Sequence, residues 1–299
     1  AGPIVRYHEL DSQLRQRDHS WAKAGAGIVL FVLGLSKKVL LADAVAPIAD
    51  WGFDQSMIGM AGAWSSLLAY TLQIYFDFSG YSDMAVGLGL MLGFSFPQNF
   101  HSPYQAASIT DFWRCWHMSL SSWLRDYLYV PLGGNQRGAL RTYVNLFLTM
   151  LLGGLWHGAS WTFALWGAYH GSLLALERMM GKKGFAWWLP RPLQVAVTFV
   201  LVMLGWLLFR SPTLDVWTRM AKGLVGLNGL GDIFPLQNSG FLNWGILLIC
   251  MLLVFCTKNT WEIRWKPSWR SAVGLTLLFG ICVLVMLVNT SSPFLYFQF

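Results

Sequence analysis

Charge is what this chain has least of. Of its 299 residues only 12% are Asp, Glu, Lys or Arg, 55% are hydrophobic, and the mean hydropathy is +0.47. A soluble domain carries about a quarter charged residues, so a soluble fold is excluded and an integral membrane protein is indicated. Paired cysteines are missing too. Cys115, Cys250, Cys256 and Cys282 are scattered without metal-ligand spacing, three of them in apolar runs, which leaves no disulfide framework and no metal site. No GxxxxGK[ST] loop, HExxH, CxxC or GxSxG is present, so the sequence signs of phosphoryl transfer, metalloproteolysis, thiol redox chemistry and a hydrolase nucleophile elbow are absent. The net charge of +7 is spread through short connectors between apolar runs, not gathered on one face. That spread suits lipid headgroups and argues against a nucleic-acid partner. An initiator Met and a signal-peptide pattern are also lacking, and the opening AGPIVRYHELDSQLRQRDHSW reads as the interior of a longer protein, with earlier helices expected before Ala1.

What the chain has is apolar runs of bilayer length. A spanning helix needs about 17 to 25 apolar residues, and such runs cover Ala24 to Leu41, Met60 to Phe78, Tyr81 to Phe96, Arg141 to Trp156, Trp161 to Leu176, Pro192 to Phe209, Phe241 to Phe255 and Ala272 to Val288. The expected architecture is therefore all-α, one membrane-embedded domain over residues 1–299 with about eight spans or part-spans. Gly25, Gly27 and Gly34 are read as helix-packing positions, and the FDFSGYSD stretch as a break between the second and third spans. Alternation of the last five spans places Arg114, Arg125, Arg137, Arg141, Arg178, Lys182, Lys183, Arg191, Lys258, Arg264, Lys266 and Arg270 on one side. Only Arg210, Arg219 and Lys222 fall on the other, and twelve against three makes the first side cytoplasmic.

Two histidines stand out against this background. Leu146 to His170 is apolar enough for the bilayer, yet holds His157 bracketed by Gly153, Gly154 and Gly158. Ionisable groups at membrane depth are costly and default to a functional reading, although a neutral imidazole costs less. Glycines permit close backbone approach or a broken helix, which lipid tolerates only around protein or a water-filled cavity. Thr110 to Val130 forms one amphipathic interfacial helix on a wheel, with Phe112, Trp113, Trp116, Leu120, Trp123, Leu124 and Tyr127 on one side and Asp111, Arg114, Ser121, Ser122 and Arg125 opposite. His117 falls at the border of the faces. It is read either as part of an interfacial anchor or as a group aimed inward. Asp77 and Asp83 lie among aromatics, six residues apart and on different helical faces. Structural pairing, with a residue such as Arg114, is their expected use. Pro97, Asn99, Pro103 and Tyr104 read as a turn and nothing more.

Imidazole titrates near neutrality and takes a proton from a hydroxyl as that oxygen attacks a carbonyl. Acyl transfer to an alcohol needs such a base, a donor thioester held in line and a water-poor channel. A proton-coupled transporter is the rival, with His157, His117, Asp77 and Asp83 as relay or pore groups. Transporters of that kind often carry an internal repeat, and WHxSLS and LWHG each occur once. An inert membrane scaffold would tolerate loss of both histidines.

Four motifs carry a resemblance to a known family. They are AGPIVRYHEL at the start, YFDFSGYSDMAVGLGLMLGFSFPQNFHSPYQAASITDFWR from Tyr75 to Arg114, WHMSLSSWLRDYLYVPLGGN from Trp116 to Asn135, and GGLWHGASWTFALWGAYHG from Gly153 to Gly171. In these stretches the chain resembles the membrane-bound O-acyltransferase family, and within it the bacterial polysaccharide branch that serves alginate O-acetylation. The resemblance implies catalysis by the histidine of LWHG, His157, and a second functional histidine in WHxSLS, His117. It implies a ring of tilted helices around a central funnel, where a cytoplasmic donor and an extracytoplasmic acceptor meet. It also implies acetyl-CoA as donor, periplasmic polysaccharide O-acetylation partner proteins, and a bacterial inner-membrane location. Peptidoglycan, cellulose and teichoic acid are the other acceptors the family implies, and no donor-binding residue is assigned. Cys115 stands where the family pattern expects Arg, which implies a weaker basic patch there.

Overall fold

The computed structural model describes residues 2–181, 183–237, 240–263, 268–289 and 294–295. Every regular element among them is helical. Three helices, Gly138–His157, Arg191–Arg210 and Trp269–Val288, are long and apolar enough to cross a bilayer, and Gly240–Cys256 is a shorter apolar one.

After a short helix α1 (Tyr7–Arg15), Ser20 caps α2 (Trp21–Ser36) by accepting from the Lys23 amide. The chain then passes without a break through a wide π-helical turn, Lys37–Ala42, into α3 (Asp43–Asp54). A π turn adds a residue to the helical circuit and often marks a functional or strained position. Here it presents Lys37 and Lys38 to the next helix. That helix, α4, runs from Met60 to Met91 as 32 uninterrupted residues, about 48 Å at 1.5 Å per residue. The stretch expected as two spans is therefore a single helix, and Ser79-Gly80 is not a break. The glycines serve another purpose. A Cβ on Gly34 would stand 2.6 Å from the Gly80 carbonyl oxygen, and one on Gly27 would lie within hard-sphere overlap of the Gly87 carbonyl. The pairs Gly34/Gly80 and Gly27/Gly87 thus bring two antiparallel helices into backbone contact, the small-residue packing that replaces the hydrophobic effect in lipid. Among the described residues a Cβ on Gly25 would meet nothing within 4 Å, so no helix packs against it there.

The segment expected to be one interfacial helix is two. α5 (Ile109–Cys115) ends at Trp116, His117 adopts a left-handed conformation with φ 43° and ψ 56°, and α6 (Met118–Leu124) restarts in a new direction before a second π turn, Arg125–Tyr129. The wheel fails because it assumes one axis. Before the bend Phe112 and Trp116 are buried, and after it Trp123 and Tyr127 are exposed.

α7 (Gly138–His157), α8 (Trp161–Met179), α9 (Arg191–Arg210), a short α10 (Leu214–Leu224), α11 (Gly240–Cys256) and α12 (Trp269–Val288) follow. The apolar runs expected from Arg141 onward coincide within a few residues with helices α7, α8, α9, α11 and α12, of which α7, α9 and α12 are long and apolar enough to cross. α7 and α8 cross closely at Gly154 and Gly167, where an added Cβ would collide with the Phe163 and Met150 carbonyls respectively. Lys182, Arg264 and Lys266, used to orient the chain, lie outside the described residues. The N-terminal end, of unsettled parity in the sequence, is tied to the α6 end by an ion pair of 2.7 Å between Arg6 and Asp126.

Candidate functional site

His157 is the last residue of α7, where the chain turns through Gly158 and Ser160 into α8. A Cβ on Gly158 would strike the Phe163 ring at 2.7 Å, so only glycine lets that ring close over the corner. The partly exposed imidazole is ringed by aromatic faces: Trp156 at 5.0 Å, Phe209 at 5.1 Å, Trp166 at 5.3 Å and Phe163 at 6.3 Å between centroids. A cavity of about 270 Å³ opens beside Phe163 and Phe209, with Ser160, Thr162, Arg210 and Ser211 as its polar lining.

His117 is buried, at 3% exposure, and points inward, so it does not belong to a surface anchor. The φ > 0 of a non-glycine residue is a strained state that surrounding structure must hold. Asn99 holds it. Its backbone carbonyl accepts from the Met118 amide at 2.9 Å, and its Oδ1 accepts from the Ser119 amide at 3.2 Å and the Ser119 hydroxyl at 2.9 Å. The same Oδ1 is 3.0 Å from His117 Nδ1, while Nδ2 donates to Ser82 Oγ at 3.1 Å. An amide N–H only donates, so the atom facing Ser119 N is the Asn99 oxygen, and His117 Nδ1 must carry the hydrogen. Nε2 then keeps the lone pair. Burial, and secondarily the neighbouring His157, hold this imidazole well below its ordinary pKa, which keeps it neutral, with Nε2 able to accept a hydrogen bond. Next to Met118 and Ser119 lies a second cavity, of about 560 Å³, with Trp113, Arg114, Arg125 and Ser122 on its walls.

The two imidazoles are joined by one wall of rings. Phe78 meets His117 edge-on at 4.7 Å and Trp116 at 6.5 Å; Trp116 packs on Trp206 at 4.7 Å; Trp206 packs on Phe209 and Trp166, the two rings that flank His157. Trp116 and Trp206 are each 1% exposed. The partition is dry, and a cavity with hydroxyl and arginine side chains in its lining lies near each of its ends.

Asp77 and Asp83 take no part in that arrangement. Asp77 pairs with Lys38 at 2.8 Å, Asp83 with Lys37 at 2.6 Å, and Lys38 also reaches Asp43 at 2.6 Å. Structural pairing is what the sequence indicated, but the partners are these lysines. Arg114 pairs with Asp111 at 3.0 Å instead. Asn99 escaped the sequence reading because an Asn between two prolines looks like any turn residue. His170 escaped it because a third histidine in an apolar helix has no local sign of its buried partners.

Among the described residues no group of three or more His, Cys, Asp or Glu is placed to hold a metal ion.

The model of the membrane-bound O-acyltransferase family matches residues 1–209. The protein named probable alginate O-acetylase of Pseudomonas fluorescens is 53% identical, over all of this chain and 70% of its own length. Its namesake in Azotobacter vinelandii is 43% identical over all of this chain and 67% of its own. The peptidoglycan O-acetyltransferase of Helicobacter pylori is 38% identical over all of this chain and 62% of its own. The chain thus spans about two thirds of the length of these relatives. Both histidine motifs and the partition between them lie within the matched residues, and the chain belongs to the membrane-bound O-acyltransferase family.

Proposed function

We propose that this chain is the membrane-embedded catalytic part of an acetyltransferase that O-acetylates an exported polysaccharide, alginate first among the candidates. The observation that carries the reading is the aromatic partition: two imidazoles on one dry wall, each beside its own polar cavity. His157 is the general base. It takes the proton from an acceptor hydroxyl as that oxygen attacks the acetyl carbonyl, and returns it to the leaving thiolate. His117, its Nδ1–H fixed by Asn99, turns Nε2 toward the thioester end of the donor or orients the reacting groups. Acetyl-CoA fits the donor role, since Arg114 and Arg125 offer positive charge at the cavity on the Lys- and Arg-rich side. That side is the cytoplasmic one of a bacterial inner membrane, and the cavity beside Arg210 and Ser211 faces the periplasm, where partner proteins of polysaccharide O-acetylation receive the acetyl group. The helices around the partition form the wall of a funnel.

The test is His157→Ala and His157→Gln in the full-length protein, read as acetyl content of the exported polymer and as transfer from labelled acetyl-CoA. A loss of at least about 100-fold at normal membrane abundance is expected, the range of a lost general base. Undiminished acetylation overturns the role. A transporter would neither transfer nor hydrolyse the acetyl group. The peptidoglycan-acting relative supports a second acceptor reading, which muropeptide mass analysis decides: lost glycan acetylation with unchanged exopolysaccharide would move the assignment there.

A further inference from the structure

α8 grips α5 at two points, neither of them a bond to His157 or His117. At the first, Glu177, fully buried, accepts from the Ile109 amide at 2.8 Å, the Thr110 amide at 2.9 Å and the Thr110 hydroxyl at 2.8 Å. Its carboxylate so fills the donors left open at the start of α5. At the second, the indole N–H of Trp113 donates to His170 Nδ1 at 3.4 Å. Indole only donates, so Nδ1 is bare and the hydrogen sits on Nε2. Nε2 has no hydrogen-bond partner among the described residues and is pressed against Gly205, where a Cβ would come within 2.4 Å. A fully buried imidazole with one orphaned nitrogen is an expensive way to fill space. Phenylalanine would fill it without an unpaired donor.

The location gives the expense a use. Trp166 stands between two imidazoles, 5.2 Å from His170 and 5.3 Å from His157. Trp113, 5.2 Å from His170 and perpendicular to it, lines the cavity beside His117. His170 is therefore in contact with one ring that walls His157 and another that walls the His117 cavity. α5 runs directly into the left-handed turn at His117, so whatever holds α5 sets where that turn lies.

We propose that His170 and Glu177 are positioning residues: a clasp from α8 onto α5 that fixes the separation between His157 and His117. This rests on the acyl-transfer reading for its effect on rate, but not for its effect on structure, and the two are measured separately. In detergent-purified full-length protein, His170→Phe removes the acceptor while keeping a ring, and His170→Asn returns an acceptor. Trp113→Phe removes the donor from the other side. His170→Phe and Trp113→Phe should each lower kcat for transfer of labelled acetyl about tenfold, and His170→Phe, whose side chain does not line the donor cavity, should leave KM for acetyl-CoA within twofold of wild type. Their combination should be no worse than either alone, since both break one bond, and His170→Asn should recover kcat to within threefold. Hydrogen exchange supplies the readout independent of activity: backbone amides of 109–118 should lose protection in His170→Phe and in Glu177→Gln, with the rest of the chain unchanged. Wild-type kcat in His170→Phe, multiplicative losses in the double variant, or unchanged exchange at 109–118 would each overturn the clasp. A wild type no more active than His157→Ala would overturn the acyl-transfer reading instead, leaving the exchange result to decide the clasp. Should His170→Phe fail to fold, Trp113→Phe and Glu177→Gln decide it by the same readouts.

Discussion

Asn99 shows how much one side chain can determine. It is 1% exposed, and its single carbonyl oxygen serves the Ser119 amide, the Ser119 hydroxyl and His117 Nδ1. Removing it leaves buried donors unpaired, each costing about 1–3 kcal/mol, and frees the strained His117 backbone to relax. Asn99→Ala should therefore lower kcat/KM about 100-fold in a labelled-acetyl assay, whereas Asn99→Asp, which keeps the acceptor, should lose less; equal losses would refute the tautomer argument. The pH dependence follows from the same environment. A base whose folded pKa is depressed stays unprotonated to lower pH, so if His117 must be neutral, its contribution to activity persists below the ordinary imidazole value of about 6.5 and disappears only further into acid. An acidic limb at or above 6.5 in kcat/KM would mean another group governs it.

Between elements, the contact of α2 with α4 sets the frame. Two consecutive lysines on a helix point about 100° apart, and Asp77 and Asp83, six residues apart, differ by about 120°. This is why two carboxylates on different faces of α4 find partners in adjacent lysines at the π turn. Lys38→Met would strand Asp43 and Asp77 together, and breaking a buried pair this way costs about 3–5 kcal/mol. A marked fall in the melting temperature of purified protein is expected, with partial recovery in Lys38→Met/Asp77→Asn. At the glycine seam, Gly34→Val should abolish folded yield by size-exclusion profile, because its Cβ meets the Gly80 carbonyl oxygen and the Met84 amide nitrogen at 2.6 and 2.8 Å, whereas Gly25→Ala should be neutral.

At the scale of the whole molecule, the described helices share one aromatic interior, built chiefly from α4, α5, α8 and α9. The Arg6–Asp126 and Arg125–Asp126 pairs, both 2.7 Å, join the N-terminal segment to the basic end. Hydrogen bonding from Arg125 first, then from Arg6, holds the Asp126 carboxyl below its ordinary value. The tie is fully present above the ordinary carboxylate pKa of about 3.9 and is lost as pH falls through the lower folded value. Orientation has its own check. In a cysteine-free background, the proposed orientation requires Gln136→Cys to react with an impermeant thiol reagent only from the cytoplasmic side and Leu227→Cys, 72% exposed, only from the periplasmic side. Reversed labelling would exchange the donor and acceptor cavities.

Composition and hydropathy alone determined that the chain is helical and membrane-embedded, and located α7, α8, α9, α11 and α12 closely, because burial of backbone polar groups in lipid leaves a 20-residue apolar run no other form. The family motifs likewise pointed to His157 and His117. The tertiary structure alone decided that Met60–Met91 is one helix, that the helix expected over Thr110 to Val130 bends at His117, and that Asn99, Trp166 and His170 attend the histidines. Periodicity records which face of a helix is apolar, but not which neighbour fills a glycine notch or which distant side chain satisfies a buried nitrogen. Those depend on contacts between residues far apart in the chain, which no local pattern encodes.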